Sequence, residues 1–320
     1  MMLRAILIYL SQARWARNLV TRWDFAWRAA SRFVAGETLE DAIQKVNELN
    51  QKGIHTTLDH LGEHTDSPEK AHQATREIMQ IFDAIEESDV CSCVSIKLTQ
   101  IGLSIDEGLC EENLRLILTY ARQKNNWLRI DMEDSPWVDI TLRLYYKMRE
   151  EGLDNVGLVI QSYLYRSKED ISKIMEHGGR VRLCKGAYNE PPEVAYPKKN
   201  DVDRNFDLLS RQLIDGALAN GAPTITEDCR VPPIPAIATH DPERLEYARG
   251  YAEKFGLPKK SIEFQMLNGI RRDLQEQMSN DGYPVRVYVP FGTEWYPYFV
   301  RRLAERPANL WFFISNFFRN

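Results

Sequence analysis

The chain is 320 residues long, 43% hydrophobic and 27% charged, which is ordinary globular material, enough for one barrel-sized domain or two smaller ones. A formal net charge of −5 provides no global basic field, so nucleic acid is not expected as a partner. Five scattered cysteines, Cys91, Cys93, Cys110, Cys184 and Cys229, make no CxxC pair and no disulfide framework, which points to a reducing compartment and the cytoplasm by default.

The chain opens on a short apolar run followed by Arg14, Arg17, Arg22 and Arg28, with Trp15, Trp23 and Trp27 interleaved. The run is too short to span a bilayer and has no small-residue cleavage site, so it reads as a docking helix. A basic, tryptophan-bearing segment also suits peripheral contact with the inner face of a membrane. "TLEDAIQKVNELNQKG" adds a further helix, so that residues 1–52 form N-terminal helices ahead of a domain spanning 53–306, with a helical tail over 307–320.

From residue 53 onward, short apolar runs alternate with longer helical stretches. The spacing predicts eight strands: 54–62, 93–98, 127–132, 156–163, 180–186, 235–240, 262–267 and 285–290. Between them lie segments with helical periodicity, such as "DSPEKAHQATREIMQIFDAIEE", where Ser67 can cap and Pro68 opens the helix. Strand then helix, eight times over, is an α/β pattern and predicts a parallel (βα)8 TIM barrel preceded by helices.

Active sites in such barrels form at the C-terminal strand ends, and polar residues gather there. In chain order they are Asp59 and Glu63, Lys97, Asp131 and Glu133, Gln161, Arg182 and Lys185, Thr239 and His240, Gln265, and Tyr288. Lys97, Asp131, Arg182 and Lys185 interrupt apolar runs, where an unpaired buried charge is costly, so they must pair with one another or with a ligand. In "RLCKGAY" (182–188), Gly186 and Ala187 let the backbone approach a ligand while two cations stand beside it, which suits a phosphate or an anionic cofactor ring.

No GxGxxG follows the first strand, so a Rossmann nucleotide fold is not indicated. "HTTLDHLGEH" gathers three histidines with Asp59 and Glu63, but no HxH or HExxH spacing, and Cys91 with Cys93 lacks the second pair a zinc site needs; no metal is expected. GxSxG is absent as well. Near the end of the chain, Tyr298, Arg301, Arg302 and Glu305 share one helix face. That pattern fits either a solvated ion-paired face or, at a barrel mouth, a fork of donors for a small carboxylate.

"TLDHLGE", "SIKLTQ", "IDMED", "VIQSY", "VRLCKGAY", "ATHDP", "EFQMLNGIR" and "YVPFGTEWYPYFVRRLAER" follow one another in order from about residue 53 to 306. Together they resemble the signature segments of proline dehydrogenase in its single-function bacterial form. The resemblance implies a distorted (βα)8 barrel that binds FAD and oxidises L-proline to Δ1-pyrroline-5-carboxylate, with electrons passing to a membrane quinone. It also implies a functional link to pyrroline-5-carboxylate dehydrogenase.

Carried over motif by motif, Arg301 and Arg302 clamp the proline carboxylate, with Lys97 as a third cationic contact. Asp131 matches the catalytic aspartate and holds an arginine of the clamp, and Arg182 stands beside the flavin edge. Met132, Gln161, Lys185, Gly186, Ala187, Thr239, His240 and Gln265 line the cofactor. Tyr188, Leu267, Tyr288 and Tyr298 wall the pyrrolidine ring. Asp241 in "ATHDP" replaces an asparagine found in some relatives. Alternatives are a hydroxyproline dehydrogenase of the same family, a flavin-free barrel that binds rather than reacts, and a metal-dependent barrel hydrolase.

Overall fold

The structure is a computed structural model that describes Val20 and residues 24–305. The remaining N-terminal arginines and tryptophans and the 307–320 tail lie outside the described residues. Two helices come first, α1 (Asp24–Ala30) and α2 (Leu39–Asn50). Thr38 and Asp41 close a capping box at the start of α2, each side chain bonding the other's backbone.

Eight strands then alternate with helices. They are β1 (His55–His60), α3 (Pro68–Glu87), β2 (Ser92–Ile96), α4 (Glu107–Gln123), β3 (Leu128–Ile130), α5 (Ser135–Glu150), β4 (Val156–Gln161) and α6 (Ser167–Glu176). The second half runs β5 (Val181–Cys184), α7 (Lys199–Ala219), β6 (Pro235–Ala238), α8 (Pro242–Lys254), β7 (Glu263–Leu267), α9 (Arg272–Asn280), β8 (Val285–Phe291) and α10 (Trp295–Glu305). All eight strands are parallel and β8 pairs with β1, so the sheet closes into the expected barrel.

Ser67 caps α3 with Pro68 in its first turn, as the sequence suggests. The strands at 128–130, 181–184 and 235–238 are shorter than the apolar runs that announce them. Helices α6 and α9 give little sequence warning. Neither N-terminus carries a side-chain cap, and Arg271 ahead of α9 sits at φ +51.

Outward-facing strand residues such as Leu58, Val94, Ile130, Leu158, Leu183, Ile237, Phe264 and Val287 are buried against the helix layer and form the main core. Alternation along the strands sends the polar partners of these residues into the lumen. There the barrel departs from the usual apolar filling. Arg286 of β8 is 1% exposed and donates through Nε to both carboxylate oxygens of Glu263, each at 3.0 Å. Its Nη1 donates to the Thr56 carbonyl at 2.6 Å. Arg129 stacks on Trp127 at 4.3 Å and donates to the Leu158 and Arg180 carbonyls.

A second apolar cluster joins α1 to α10 through Ala26, Ala30, Phe33, Trp295, Phe299 and Leu303. Trp27 packs on Trp295 with ring centroids 5.4 Å apart, so this part of the N-terminal segment docks on the barrel. The helix bearing Arg301 and Arg302 is therefore held from outside by residues that precede the barrel in sequence.

The buried pair yields a stability prediction. Glu263→Ala strands the Arg286 guanidinium inside the lumen and should lower the unfolding free energy by about 3–5 kcal/mol in urea titration. A loss below about 1 kcal/mol would mean that the carbonyls around Arg286 satisfy it without the carboxylate.

Candidate active site

The C-terminal ends of β1, β2, β3, β5, β7 and β8 bring one ion cluster together. Lys97 Nζ, placed just past β2, lies 3.2 Å from Asp59 Oδ1 and 3.8 Å from Asp131 Oδ2. The Tyr288 hydroxyl donates to Asp131 Oδ2 at 2.7 Å and accepts from Lys97 at 3.5 Å. Arg182 donates to Asp131 Oδ1 at 2.7 Å, to Gln265 Oε1 at 2.5 Å and to Ser95 Oγ at 3.1 Å. Its guanidinium also lies 5.3 Å from the centre of the Tyr288 ring. Two cations thus alternate with two carboxylates, so three of the four interrupting charges, Lys97, Asp131 and Arg182, pair with one another, while Lys185 pairs with Asp203 and Asp241.

Electrostatics favour the charged form of Lys97 and the neutral form of the tyrosines around it. Burial works against the Lys97 ammonium, but Asp59, Asp131 and Glu63 outweigh it and raise the lysine above its ordinary range. Burial, with Asp131 beside it, pushes the Tyr288 phenol well above its usual value. Tyr188 is raised in the same direction by burial and by Glu63 and Glu133.

Arg301 of α10 reaches over this cluster, but its partner is Glu63 in the loop after β1, with Nη2 to Oε1 at 2.7 Å and Nη1 to Oε2 at 3.1 Å. Burial opposes the Glu63 carboxylate, yet the Arg301 charge and hydrogen bonds bring it below the usual range. Asp131 therefore does not hold a clamp arginine as the resemblance implied. It sits too deep and is taken by Arg182, Lys97 and Tyr288, so the fork is held by Glu63 instead. Arg302 stacks over the Tyr298 ring at 5.0 Å.

The remaining expected residues surround the same mouth. Gly186 has φ +104, and a Cβ there would come within 2.4 Å of the Tyr163 ring, so only glycine fits both the backbone and the space. Lys185 is engaged by Asp203 and by Asp241 at 2.7 Å, which offsets the charge that the sequence alone leaves available for a phosphate. The aspartate of "ATHDP" thus holds Lys185 while capping α8.

His240 Nε2 accepts from the Leu267 backbone N–H at 2.9 Å, which fixes its neutral tautomer with the proton on Nδ1. Thr239 Oγ1 accepts from the Asp241 N–H. Gln161 donates to the Glu133 carbonyl at 2.9 Å, and Met132 beside it is buried. Leu267 borders the second apolar cluster next to Tyr298. Ala187 is exposed at the rim.

The "HTTLDHLGEH" side chains separate. His60 stacks on Phe291 at 5.1 Å, Asp59 turns to Lys97 and Glu63 to Arg301. Among the described residues, no group of three or more His, Cys, Asp or Glu side chains could hold a metal.

Three residues gain roles that sequence reasoning did not assign. Glu63 anchors Arg301, and Asp59 neutralises Lys97. Glu133 binds the Thr99 N–H and hydroxyl at 3.1 and 2.7 Å, and the Thr99 carbonyl in turn accepts from Thr65 in the loop that bears Glu63. The only sequence signal for all three is their place at or just beyond the end of a strand.

Comparison with known proteins agrees with this geometry. A family profile described as proline dehydrogenase matches residues 42–314. Proline dehydrogenase 1 of Bacillus subtilis (strain 168) is 39% identical over 319 residues, 98% of either chain. The proline dehydrogenase of Deinococcus radiodurans is 40% identical over 294 residues, 90% of either chain. Among solved structures, proline utilization A (PutA) from Bdellovibrio bacteriovorus inactivated by N-propargylglycine superimposes with a TM-score of 0.79 at 25% identity. That match covers 88% of this chain but 33% of the longer protein. The barrel, its ring of charged strand ends and near full-length similarity to these relatives establish that the chain belongs to the proline dehydrogenase family.

Proposed function

We propose that this protein oxidises L-proline to Δ1-pyrroline-5-carboxylate, using bound FAD and delivering the electrons to a membrane quinone. The observation that carries the reading is the convergence of the Lys97, Asp131, Arg182 and Tyr288 cluster beneath the α10 arginines, in a chain of this family. When bound, FAD supplies the acceptor for hydride from the ring carbon next to nitrogen.

The chain's own residues fit that group. Gly186, packed against the Tyr163 ring where any side chain would clash, leaves bare backbone at this point of the barrel mouth. Arg182, oriented by Asp131, Gln265 and Ser95, supplies positive charge where negative charge develops. Lys185, Ala187, Thr239, His240, Gln161 and the Met132 backbone line the rest. Arg301 and Arg302 bind the substrate carboxylate, with Lys97 below them, while Tyr188, Leu267, Tyr288 and Tyr298 wall the ring. Substrate shares or replaces Glu63 at Arg301. Fixing the carboxylate sets the reacting carbon in place, a proximity effect that can be large.

Among the described residues, no helix is long and apolar enough to cross a membrane. In this reading the protein works from the cytoplasm and meets quinone peripherally at the inner membrane face. Its unstable product passes to a pyrroline-5-carboxylate dehydrogenase.

The direct test is the visible spectrum of purified protein before and after anaerobic addition of L-proline. Flavin bands that bleach support cofactor and substrate together. Bands that stay unbleached move the substrate elsewhere, and a colourless protein that FAD cannot reconstitute removes the reading.

Two further outcomes follow from the geometry. Arg302→Lys keeps charge but loses the planar fork, so kcat/KM for proline should fall by about a hundredfold, mainly through KM; a change within about twofold would place the carboxylate elsewhere. Hydride departure needs a free nitrogen lone pair, so kcat/KM should rise with pH through the pKa of the substrate amine. Lys97 and Tyr288 are both held above their ordinary ranges, so the site adds no opposing limb near neutrality. A profile flat through the amine's pKa would contradict the requirement for the neutral amine.

A further inference from the structure

Arg182, the cation at the upper end of the lumen, is tied to the ion pair below it through one side-chain amide. Alternation along β7 sends Glu263, Gln265 and Leu267 to the lumen side, while Phe264 and Met266 pack into the outer core. Glu263 and Gln265 therefore stand one above the other. Between β7 and β5 lies β6, whose lumen-side residues are Ala236 and Ala238, with Ala236 in register with both Arg182 and Glu263. Side chains this small leave the space across which the Arg182 guanidinium reaches Gln265, two strands away.

The hydrogen bonds form a chain with a single sense. Arg182 Nε donates to Gln265 Oε1 at 2.5 Å, and Gln265 Nε2 donates to Glu263 Oε1 at 2.5 Å. Arg286 Nε donates to the same Glu263 oxygen at 3.0 Å. Arg286 is anchored in turn by the Thr56 and Cys229 carbonyls, at 2.6 and 2.7 Å. All four side chains of the chain are buried.

A side-chain amide accepts at its oxygen and donates at its nitrogen, and the two ends are nearly the same size, so packing alone does not choose its orientation. A guanidinium has no acceptor, so Gln265 serves Arg182 only with its oxygen towards it. A carboxylate has no donor, so Glu263 takes only the amide nitrogen. The acid below thus selects the orientation that the cation above requires. Asp131 and Ser95 hold Nη1 and Nη2 of Arg182 at 2.7 and 3.1 Å. The Gln265 bond occupies the third nitrogen and stops the guanidinium from turning about its Asp131 contact.

We propose that Glu263 is a positioning residue, which fixes Arg182 at the flavin edge by setting the orientation of Gln265. For its effect on catalysis the inference rests on the proline oxidation proposed above; for its effect on Arg182 it rests on the hydrogen-bond chain alone. Breaking the chain misplaces the positive charge that stabilises reduced flavin and slows hydride transfer. Proline binding is spared, because Arg301 and Arg302 lie on α10, outside the chain.

Three variants separate positioning from stability. Glu263→Leu combined with Arg286→Met removes the buried ion pair as a unit, leaving no lone charge but also no acceptor for Gln265. Glu263→Asp keeps the charge beside Arg286 and draws the acceptor one methylene back from Gln265, so the test survives if the paired replacement does not fold. Glu263→Gln keeps an acceptor oxygen for Gln265 but loses the charge, so it should unfold at lower urea and still hold Arg182.

The first readout needs no flavin: water exchange of the Arg182 Nε–H in NMR spectra, assigned by its loss in Arg182→Lys. Exchange should speed at least about tenfold in the paired replacement, less in Glu263→Asp, and stay within about twofold of the parent in Glu263→Gln. With FAD bound, the paired replacement should lower the flavin midpoint potential and cut kcat about tenfold, with KM for proline within about twofold. Phe264→Leu, a destabilising change on the outer face of the same strand, should leave the potential unaltered. A parent protein that binds no FAD removes the reaction reading, and the exchange comparison still decides the role of Glu263. The proposal is overturned by parent-like exchange in the folded paired replacement or, failing its folding, in Glu263→Asp. It is equally overturned by exchange as fast in Glu263→Gln, by an unaltered flavin potential, or by a KM that rises as kcat falls.

Discussion

Charge inside the barrel is the constraint on which the rest of this structure depends. A closed parallel barrel usually fills its lumen with branched apolar layers. Here the lumen holds Arg286 with Glu263 low down and Lys97, Asp59, Asp131 and Arg182 higher up. Each ion alone would cost several kcal/mol to bury, so each is tolerable only with its partner in register. Strand register is consequently tied to charge pairing as well as to the apolar face that meets the helices.

The same constraint prepares the upper end for chemistry. Asp131 bonds to Arg182, Tyr288 and Lys97 at once, so none of these side chains is free to drift. Preorganised charge of this kind does most when water is excluded and the groups need no rearrangement during reaction. The α10 arginines sit differently. Arg301 and Arg302 ride on α10, outside the barrel wall, and their position depends on the apolar contacts that α10 makes with α1 and on Glu63. A rigid ion cluster in the barrel is thus accompanied by an arginine-bearing helix that other parts of the chain must hold.

Arg286 ties several elements together low in the barrel. It neutralises Glu263 in the core, supports Cys229 through its carbonyl and lies beside the Cys93 sulfur.

Much of this was legible in the sequence. Alternating apolar runs and capped helical segments specify the barrel, because burial on one face and periods of two and 3.6 residues are local properties. The polar residues that end those runs mark the site, since an isolated buried charge is too costly to leave unpaired. The composite "VRLCKGAY" and "YPYFVRRLAER" segments identify the family on residues alone. Partner choice was not legible. Asp131 finds Arg182 51 residues away, and Arg301 finds Glu63 238 residues away. The packing of α1 on α10 is equally invisible to any local pattern. Sequence determined which residues must be paired and on which strand ends they stand; barrel closure and the crossing of distant loops decided which pairs form, since those depend on distances that only the folded chain sets.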